Sequence, residues 1–354
     1  MGTSAAPPVE ALRSRLLAWY DAARRDLPWR ASRTGGPPDT YAVLVSEAML
    51  QQTRVGTVVP YFLRWMRRFP TVGALAAAGE DDVVAAWSGL GYYRRARALH
   101  AAARTIVEEH GGTVPLDVEA LLALPGVGPY TAGAVASIAG GQAVPAVDGN
   151  VVRVLCRLDA VQEDPSRSPV RRALEGRAAA LVDPRRPGDW NQALMDLGAT
   201  VCTPRAPRCG ACPWAGPCRG RAEGAAEALP RAAPKRRRRE EEVRLAVVRH
   251  EGRLLMVRPS TGLLAGTWRL PGGPAGADLA ACVAEQAGVR VELGDGFGEA
   301  RHVFTHRAWT MRVHAGRPIA PGPAGAGAAW IDEDALHRHG VSTAMRKALA
   351  VAPR

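Results

Sequence analysis

The chain has 354 residues, of which 47 % are hydrophobic and 23 % charged, a composition typical of a folded protein with a sizeable core. It has no apolar run of about eighteen residues, which argues against a membrane-spanning helix. Arg13 and Arg15 interrupt the first apolar stretch, so the order of a secretory signal is lacking and we expect a cytoplasmic protein. The formal net charge of +12 favours a polyanionic partner.

The first part of the chain predicts an all-α domain over residues 1–222. Ala-rich segments with helical spacing, such as 42–52 and 94–109, alternate with Gly and Pro breaks. This region has 26 basic and 20 acidic residues. Residues 223–242, rich in Ala, Pro and charge, predict a linker.

The pattern changes after the linker, and residues 243–354 predict an α+β domain. This region has 14 basic and 9 acidic residues, so both domains are basic. That balance favours a clamp in which both domains touch nucleic acid. The strand-like segments are 245–249, 254–258 and 303–313.

Four of the six cysteines fall close together, with six, two and five residues between them. In a reducing compartment such a group indicates a metal site rather than disulfides. The ligand type alone allows either tetrahedral zinc or a [4Fe–4S] cluster. The cysteines are Cys202, Cys209, Cys212 and Cys218.

A glycine-containing turn lies between two helical segments in the string LPGVGPYTA, which begins at Leu124. Gly126 and Gly128 allow a tight turn whose backbone N–H groups are uncovered. Followed by a helix N-terminus, such a turn is suited to grip a phosphate without reading sequence.

Two carboxyl groups occupy unlike surroundings. Asp148 precedes an apolar helical segment at 151–158, where the ordinary role is an N-cap. Glu47 lies on an apolar helical face with Val43 and Leu44, where it is either half of a buried salt bridge or a functional acid. One protonated acid and one carboxylate are the pair that N-glycoside cleavage requires.

Together these motifs resemble the helix-hairpin-helix (endonuclease III) superfamily of DNA glycosylases, and within it the adenine DNA glycosylase (MutY) family. The resemblance runs from about residue 27 to 218 and implies a [4Fe–4S] cluster on the four cysteines. It also implies removal, by base flipping, of adenine paired with 8-oxoguanine or guanine in duplex DNA. The matching segments are LPWR, SEAMLQQTRV, GLGYYRRARALH, LPGVGPYTAGA, VDGNV and the cysteine loop.

The resemblance also implies the catalytic roles. Glu47 would protonate the adenine at N7 and later help to activate water, while Asp148 would stabilise the cationic sugar. Asn150 and Tyr130 would orient the reacting groups. Tyr130 stands where lyase relatives carry a lysine, so no Schiff base can form and the enzyme would be monofunctional.

For substrate binding, the resemblance places Arg30 near the adenine pocket. It places Gln52 and Tyr92 in the duplex beside 8-oxoguanine. The remaining DNA-binding residues in this part of the chain are Thr53, Arg54, Leu124, Gly126 and Gly128.

The second domain resembles the MutT-like (Nudix) domain of the same family. The string WRLPGG from Trp268 leads into a Nudix box, but the following helix retains only Glu285 of the metal-binding glutamates, so pyrophosphatase activity is not expected. Phe304, Thr305 and His306 resemble a loop that reads 8-oxoguanine, with Thr305 in place of a serine.

We therefore predict a two-domain adenine DNA glycosylase, a helix-hairpin-helix domain followed by an α+β Nudix-like domain. It would act as a monomer on nucleoid DNA without contacting a membrane. One alternative is an endonuclease III-like pyrimidine glycosylase with lyase activity, against which Tyr130 speaks. The other is a non-catalytic iron–sulfur protein that binds DNA or senses redox state, against which Glu47 and Asp148 speak.

Overall fold

A computed structural model describes residues 8–30, 37–231, 237–320 and 322–352. Their contacts divide the chain into two compact units. The first contains the described residues up to Ala76 and from Ala101 to 231, and the second contains Ala77–His100 with the described residues from 237 onward. No helix in the described ranges is both long and apolar enough to cross a membrane.

The part of the chain before residue 223 is helical, as predicted. The core of the first unit gathers around Trp190 and Trp214, which pack on the apolar face of the helix that begins after Asp148. The helices are α1 (Val9–Ala23), α2 (Thr40–Leu50), α3 (Val55–Arg68), α4 (Val72–Ala76), α5 (Glu80–Ala86), α6 (Arg94–Glu109), α7 (Val118–Ala123), α8 (Pro129–Ile138), α9 (Gly149–Leu158), α10 (Ser168–Leu181), α11 (Pro187–Thr200) and α12 (Arg219–Ala222). Of these, α5 belongs to the second unit, and α6 crosses the boundary between the two.

The C-terminal region forms a mixed sheet with the strand order β4-β5-β1-β2-β6, and β3 pairs with β1. The central pair β1–β5 is parallel and the other strand pairs are antiparallel. The elements are β1 (Arg239–His250), β2 (Arg253–Val257), β3 (Gly272–Pro274), α13 (Leu279–Ala287), β4 (Val291–Val303), β5 (Arg307–Pro318), β6 (Ala328–Asp332) and α14 (Thr343–Ala350).

Alternation along β1 builds a core on each face of this sheet. Leu245 and Val247 pack in the cluster that contains α14, whereas Ala246 and Val248 pack in the cluster that contains α13. Successive side chains on a strand point to opposite faces of the sheet, and here both faces are covered. The run from Leu245 to Val248 is therefore apolar without interruption. The predicted α+β class is confirmed.

Three boundaries differ from the sequence expectations. Strand β1 begins at Arg239, inside the predicted linker, because its first residues pair with β5. At the other end of that linker, Leu229 is buried and its carbonyl accepts from Arg157 Nε at 2.9 Å. The predicted strand 303–313 is interrupted by a turn between β4 and β5. Residues 232–236 of the linker lie outside the described residues.

The segment Ala77–His100 packs in the second unit, although the sequence predicted it in the first domain. Glu80 and Asp81 of α5 pair with Arg258, and Ser88 and Tyr93 donate to the carbonyl of Val341. No local sequence signal reports such long-range contacts.

Candidate active site

Glu47 and Tyr130 meet in the interior of the first unit. Glu47 lies on α2 and is 3 % exposed, and Tyr130 lies in the first turn of α8. The Tyr130 hydroxyl donates to Glu47 Oε2 over 2.6 Å. Burial and the nearby Asp148 raise the pKa of Glu47 to about 7, although Tyr130 and Arg30 act in the opposite direction. Of the two roles considered for Glu47, the buried acid fits this geometry, because the carboxylate is hydrogen-bonded by the Tyr130 hydroxyl rather than by a cation.

Asp148 is fixed at the start of α9. Its Oδ1 accepts from the Val151 backbone N–H at 2.7 Å, which confirms the predicted N-cap, and its Oδ2 accepts from Asn150 Nδ2 at 2.7 Å. Asn150 in turn accepts from Arg153 Nη2 at 2.8 Å. Arg153 also donates to the carbonyl of Cys202 at 2.9 Å, so one chain of hydrogen bonds runs from Asp148 to the cysteine loop.

Arg30 is held by a carboxylate that the sequence analysis missed. Asp196 on α11 accepts from Arg30 Nη1 and Nη2 at 2.8 and 2.9 Å, and it also pairs with Arg25. Although burial opposes ionisation, the two guanidiniums hold the pKa of Asp196 below its usual value. No comparable apolar face marks Asp196 in the sequence, because its helical neighbours at i−4 and i+4 are Gln192 and Thr200.

The predicted hairpin is present as α7, a tight turn and α8. Gly126 has a φ of +75°, a conformation that glycine adopts without strain. The Val127 N–H closes the turn on the Leu124 carbonyl at 3.1 Å. Gly128 stands at the N-cap of α8 and has no side chain to cap it, so the amides of the first turn are suited to a phosphate.

Gln52, which the resemblance places in the duplex, lies in the turn between α2 and α3. It is exposed and has a φ of +58°, which is unusual for a residue with a side chain. The Thr53 N–H donates to the Leu50 carbonyl at 3.2 Å and closes the turn. Arg54, the residue immediately before α3, is exposed. Strained backbone of this kind is typical of binding sites.

In the second unit, Tyr92 and Thr305 are brought together although they are far apart in sequence. Their hydroxyl oxygens are 2.7 Å apart. Tyr92 is 46 % exposed and also has a positive φ, +50°. Thr305 and His306 form the exposed tip of the β4–β5 hairpin. The rings of Phe304 and Trp309 pack edge to face, with their centroids 5.1 Å apart.

The four predicted cysteine ligands line one cavity, together with Arg157. Arg157 Nη1 donates to Cys202 Sγ at 3.3 Å, and burial raises the pKa of Cys212 to about 11. Among the described residues, no three His, Cys, Asp or Glu side chains are placed to hold a single metal ion. Thiolates are the ligand type that both iron–sulfur clusters and structural zinc take, so the donor set of this cavity fits a metal centre of either kind.

Comparison with known proteins agrees with this architecture. The family model of HhH-GPD superfamily base excision DNA repair proteins matches residues 45–179, and a NUDIX domain model matches residues 243–351. The structure of a thermostable thymine-DNA glycosylase aligns with a TM-score of 0.54 and 29 % identity, covering 61 % of this chain and 97 % of that one. The chain is therefore a helix-hairpin-helix DNA glycosylase of base excision repair with an appended NUDIX domain.

Relatives that match nearly the whole of this chain show to which branch of that class it belongs. The adenine DNA glycosylase of Rattus norvegicus is 41 % identical over 402 residues, which cover 97 % of this chain and 78 % of the relative. The human adenine DNA glycosylase is 40 % identical and covers 97 % of this chain and 74 % of its own length. The chain belongs to the adenine DNA glycosylase family.

Proposed function

We propose that this protein hydrolyses the N-glycosidic bond of adenine opposite 8-oxoguanine or guanine in duplex DNA. The observation that carries the proposal is the buried Glu47 carboxyl, whose pKa lies near 7 and which is fixed by Tyr130. A carboxyl with this pKa is partly protonated at neutral pH and can donate to a leaving base. Such general acid catalysis contributes about 10²–10⁴ in rate.

Asp148 supplies a negative charge, opposite in sign to the charge that develops on the sugar. Two hydrogen bonds, from Val151 and Asn150, hold both carboxylate oxygens in place before the substrate binds. A fixed carboxylate stabilises the positive sugar that forms as the adenine leaves. The adenine has to leave the base stack to reach the buried Glu47, so base flipping is part of the proposal.

We further propose that the reaction is monofunctional, with water as the nucleophile. Tyr130 offers a hydroxyl where a lyase needs an amine, and that hydroxyl is already engaged with Glu47. Thr53, Arg54, Leu124, Gly126 and Gly128 would hold the phosphate backbone, and Gln52 would enter the duplex. Tyr92, Phe304, Thr305 and His306 would read the lesion, and Arg30 would border the adenine pocket.

The four cysteines would hold a [4Fe–4S] cluster. When bound, the cluster would join the thiolates of residues 202–218 into one rigid loop. Arg157 would face it through the Cys202 sulfur, and Arg153 would tie the loop to Asn150. An ultraviolet–visible spectrum of the purified protein tests this assignment. A broad band near roughly 400 nm is expected for iron–sulfur, and a colourless protein would indicate zinc.

Residues 1–222 would form the glycosylase domain and residues 243–354 a lesion-reading domain without pyrophosphatase activity. We expect the protein to work as a monomer on nucleoid DNA in the cytoplasm.

The deciding experiment is product analysis on a duplex with one A:8-oxoguanine pair. We expect free adenine and an abasic strand that breaks only after alkali treatment. A strand nicked without alkali, with a complex trapped by borohydride, would support the lyase alternative. Binding without adenine release would support the non-catalytic alternative. A duplex with C opposite 8-oxoguanine is the control.

A further inference from the structure

Arg95 occupies an unusual position behind Tyr92 in the second unit. It lies at the start of α6, and its guanidinium carbon is 5.2 Å from the Trp87 ring centroid and 5.4 Å from that of Tyr92. The positive charge is therefore in contact with two aromatic rings, one fully buried and one exposed. Cation–π attraction of this kind strengthens when the cation is desolvated.

The same guanidinium also holds the turn that carries Tyr92. Arg95 Nη2 donates to the Gly91 carbonyl at 3.2 Å, and Trp87 Nε1 donates to the same carbonyl at 3.0 Å. The Arg95 backbone N–H binds the Tyr92 carbonyl at 2.9 Å. Gly91 and Tyr92 both have positive φ angles, so the surroundings have to maintain this strained turn.

We propose that Arg95 is a positioning residue that holds the Tyr92 ring in the orientation needed to discriminate 8-oxoguanine from guanine. Tyr92 is fixed at its hydroxyl by Thr305, and Arg95 fixes its ring and backbone. Burial lowers the pKa of Arg95 to about 10, so the side chain remains charged at physiological pH. This inference rests on the proposed lesion-reading role of Tyr92.

The test compares Arg95→Gln with Arg94→Gln in the full-length protein. Both remove one charge from the same helix turn, but Arg94 is exposed. We measure the ratio of single-turnover rates on A:8-oxoguanine and A:G duplexes at one salt concentration. Arg95→Gln should lower this ratio by about 3- to 30-fold, the range that a cation–π contact is worth. Arg94→Gln should leave it unchanged. Arg95→Lys keeps the charge but not the planar group, and should recover part of the loss.

A double-mutant cycle separates positioning from a direct effect on DNA. In a Tyr92→Ala background, Arg95→Gln should have no further effect on the ratio, because it acts through the missing ring. The proposal would be overturned if Arg95→Gln lowered the rate ratio equally in both backgrounds. It would also be overturned if Tyr92→Ala lowered the ratio and Arg95→Gln alone did not.

A fluorine NMR signal from 3-fluorotyrosine placed at position 92 alone reports on the ring without DNA. We expect Arg95→Gln, but not Arg94→Gln, to shift or broaden this signal. An unchanged signal would overturn the positioning role. If Arg95→Gln changes the signal but Tyr92→Ala leaves the rate ratio normal, Arg95 does position the ring. In that case the proposed lesion-reading role of Tyr92 is wrong.

Discussion

The Tyr130 hydroxyl and Glu47 Oε2 are 2.6 Å apart, although the residues lie on different helices and are separated by 83 positions. The bond places the first turn of α8, the second helix of the hairpin, directly against the buried acid of α2. It favours the charged form of Glu47, whereas burial favours the neutral form. The two largest influences on the pKa of Glu47 therefore act in opposite directions.

Replacing Tyr130 with Phe should move the pH dependence of the reaction. The lost hydrogen bond stabilises the Glu47 carboxylate, so the pKa of Glu47 should rise further and the rate should fall off at higher pH than in the parent. A bond to a charged group is worth about 1.5–3 kcal/mol, which corresponds to about one to two pH units. The measurement is the single-turnover rate across about pH 5.5 to 9.

The matched control is Tyr41→Phe, which also removes a buried hydroxyl from the first unit. That hydroxyl donates to the Phe69 carbonyl at 3.0 Å instead of to Glu47. The basic limb of its pH profile should stay near pH 7. An unshifted limb in Tyr130→Phe would show that Tyr130 does not tune the acid.

Glu47→Gln should stabilise the fold at alkaline pH. The pKa of Glu47 is raised from its ordinary value of 4.5 to about 7, so the folded protein loses stability as the carboxyl ionises between these values. The neutral amide escapes this cost. Integrating the proton linkage, the advantage of the variant in unfolding free energy should grow by about 2 kcal/mol from pH 5.5 to 8.5. Guanidinium unfolding of both proteins at the two pH values measures it, and a constant difference would contradict a buried acid.

Asn150→Ala should slow the reaction without weakening duplex binding. The amide holds Asp148 Oδ2 and is itself held by Arg153, so its loss frees the carboxylate to turn away from the sugar. Loss of one such bond to a charged group corresponds to about 10- to 100-fold in single-turnover rate. Gln142→Ala, which removes an amide bound to the Leu116 carbonyl, is the control. Equal rates for the two variants would show that Asn150 does not support the reaction.

Thr305→Val should reduce discrimination between 8-oxoguanine and guanine opposite the adenine. The variant keeps the shape of the side chain but loses the hydroxyl that lies 2.7 Å from the Tyr92 hydroxyl. A single neutral hydrogen bond is worth about 0.5–1.5 kcal/mol, so the rate ratio should fall about 2- to 12-fold. Thr305→Ser keeps the hydroxyl and should behave like the parent. If the valine variant keeps the parental ratio, the hairpin tip does not act through this contact.

The sequence predicted those features that depend on local spacing. The cysteine loop, the glycine turn before α8 and the N-cap at Asp148 each follow from residues a few positions apart, and the structure forms all three. Burial of Glu47 was predicted from its apolar helix neighbours for the same reason.

The features that the sequence did not predict depend on long-range contacts. Asp196 joins Arg25 and Arg30 across more than 160 positions, and no local pattern shows which cation a buried carboxylate will meet. The packing of Ala77–His100 in the second unit has the same origin, because it depends on carbonyls and side chains far along the chain such as Val341. Strand β1 begins early because β5 supplies its partner.

The central claim is that Glu47 and Asp148 together release adenine, and single-turnover release of free adenine from an A:8-oxoguanine duplex tests it most directly. The parent should release adenine, with a rate that falls above about pH 7 as Glu47 ionises. Glu47→Gln and Asp148→Asn should each lower the rate by at least about 100-fold while still binding the duplex, because both groups act on charge that arises in the transition state. Adenine release at the parental rate by either variant would contradict the account.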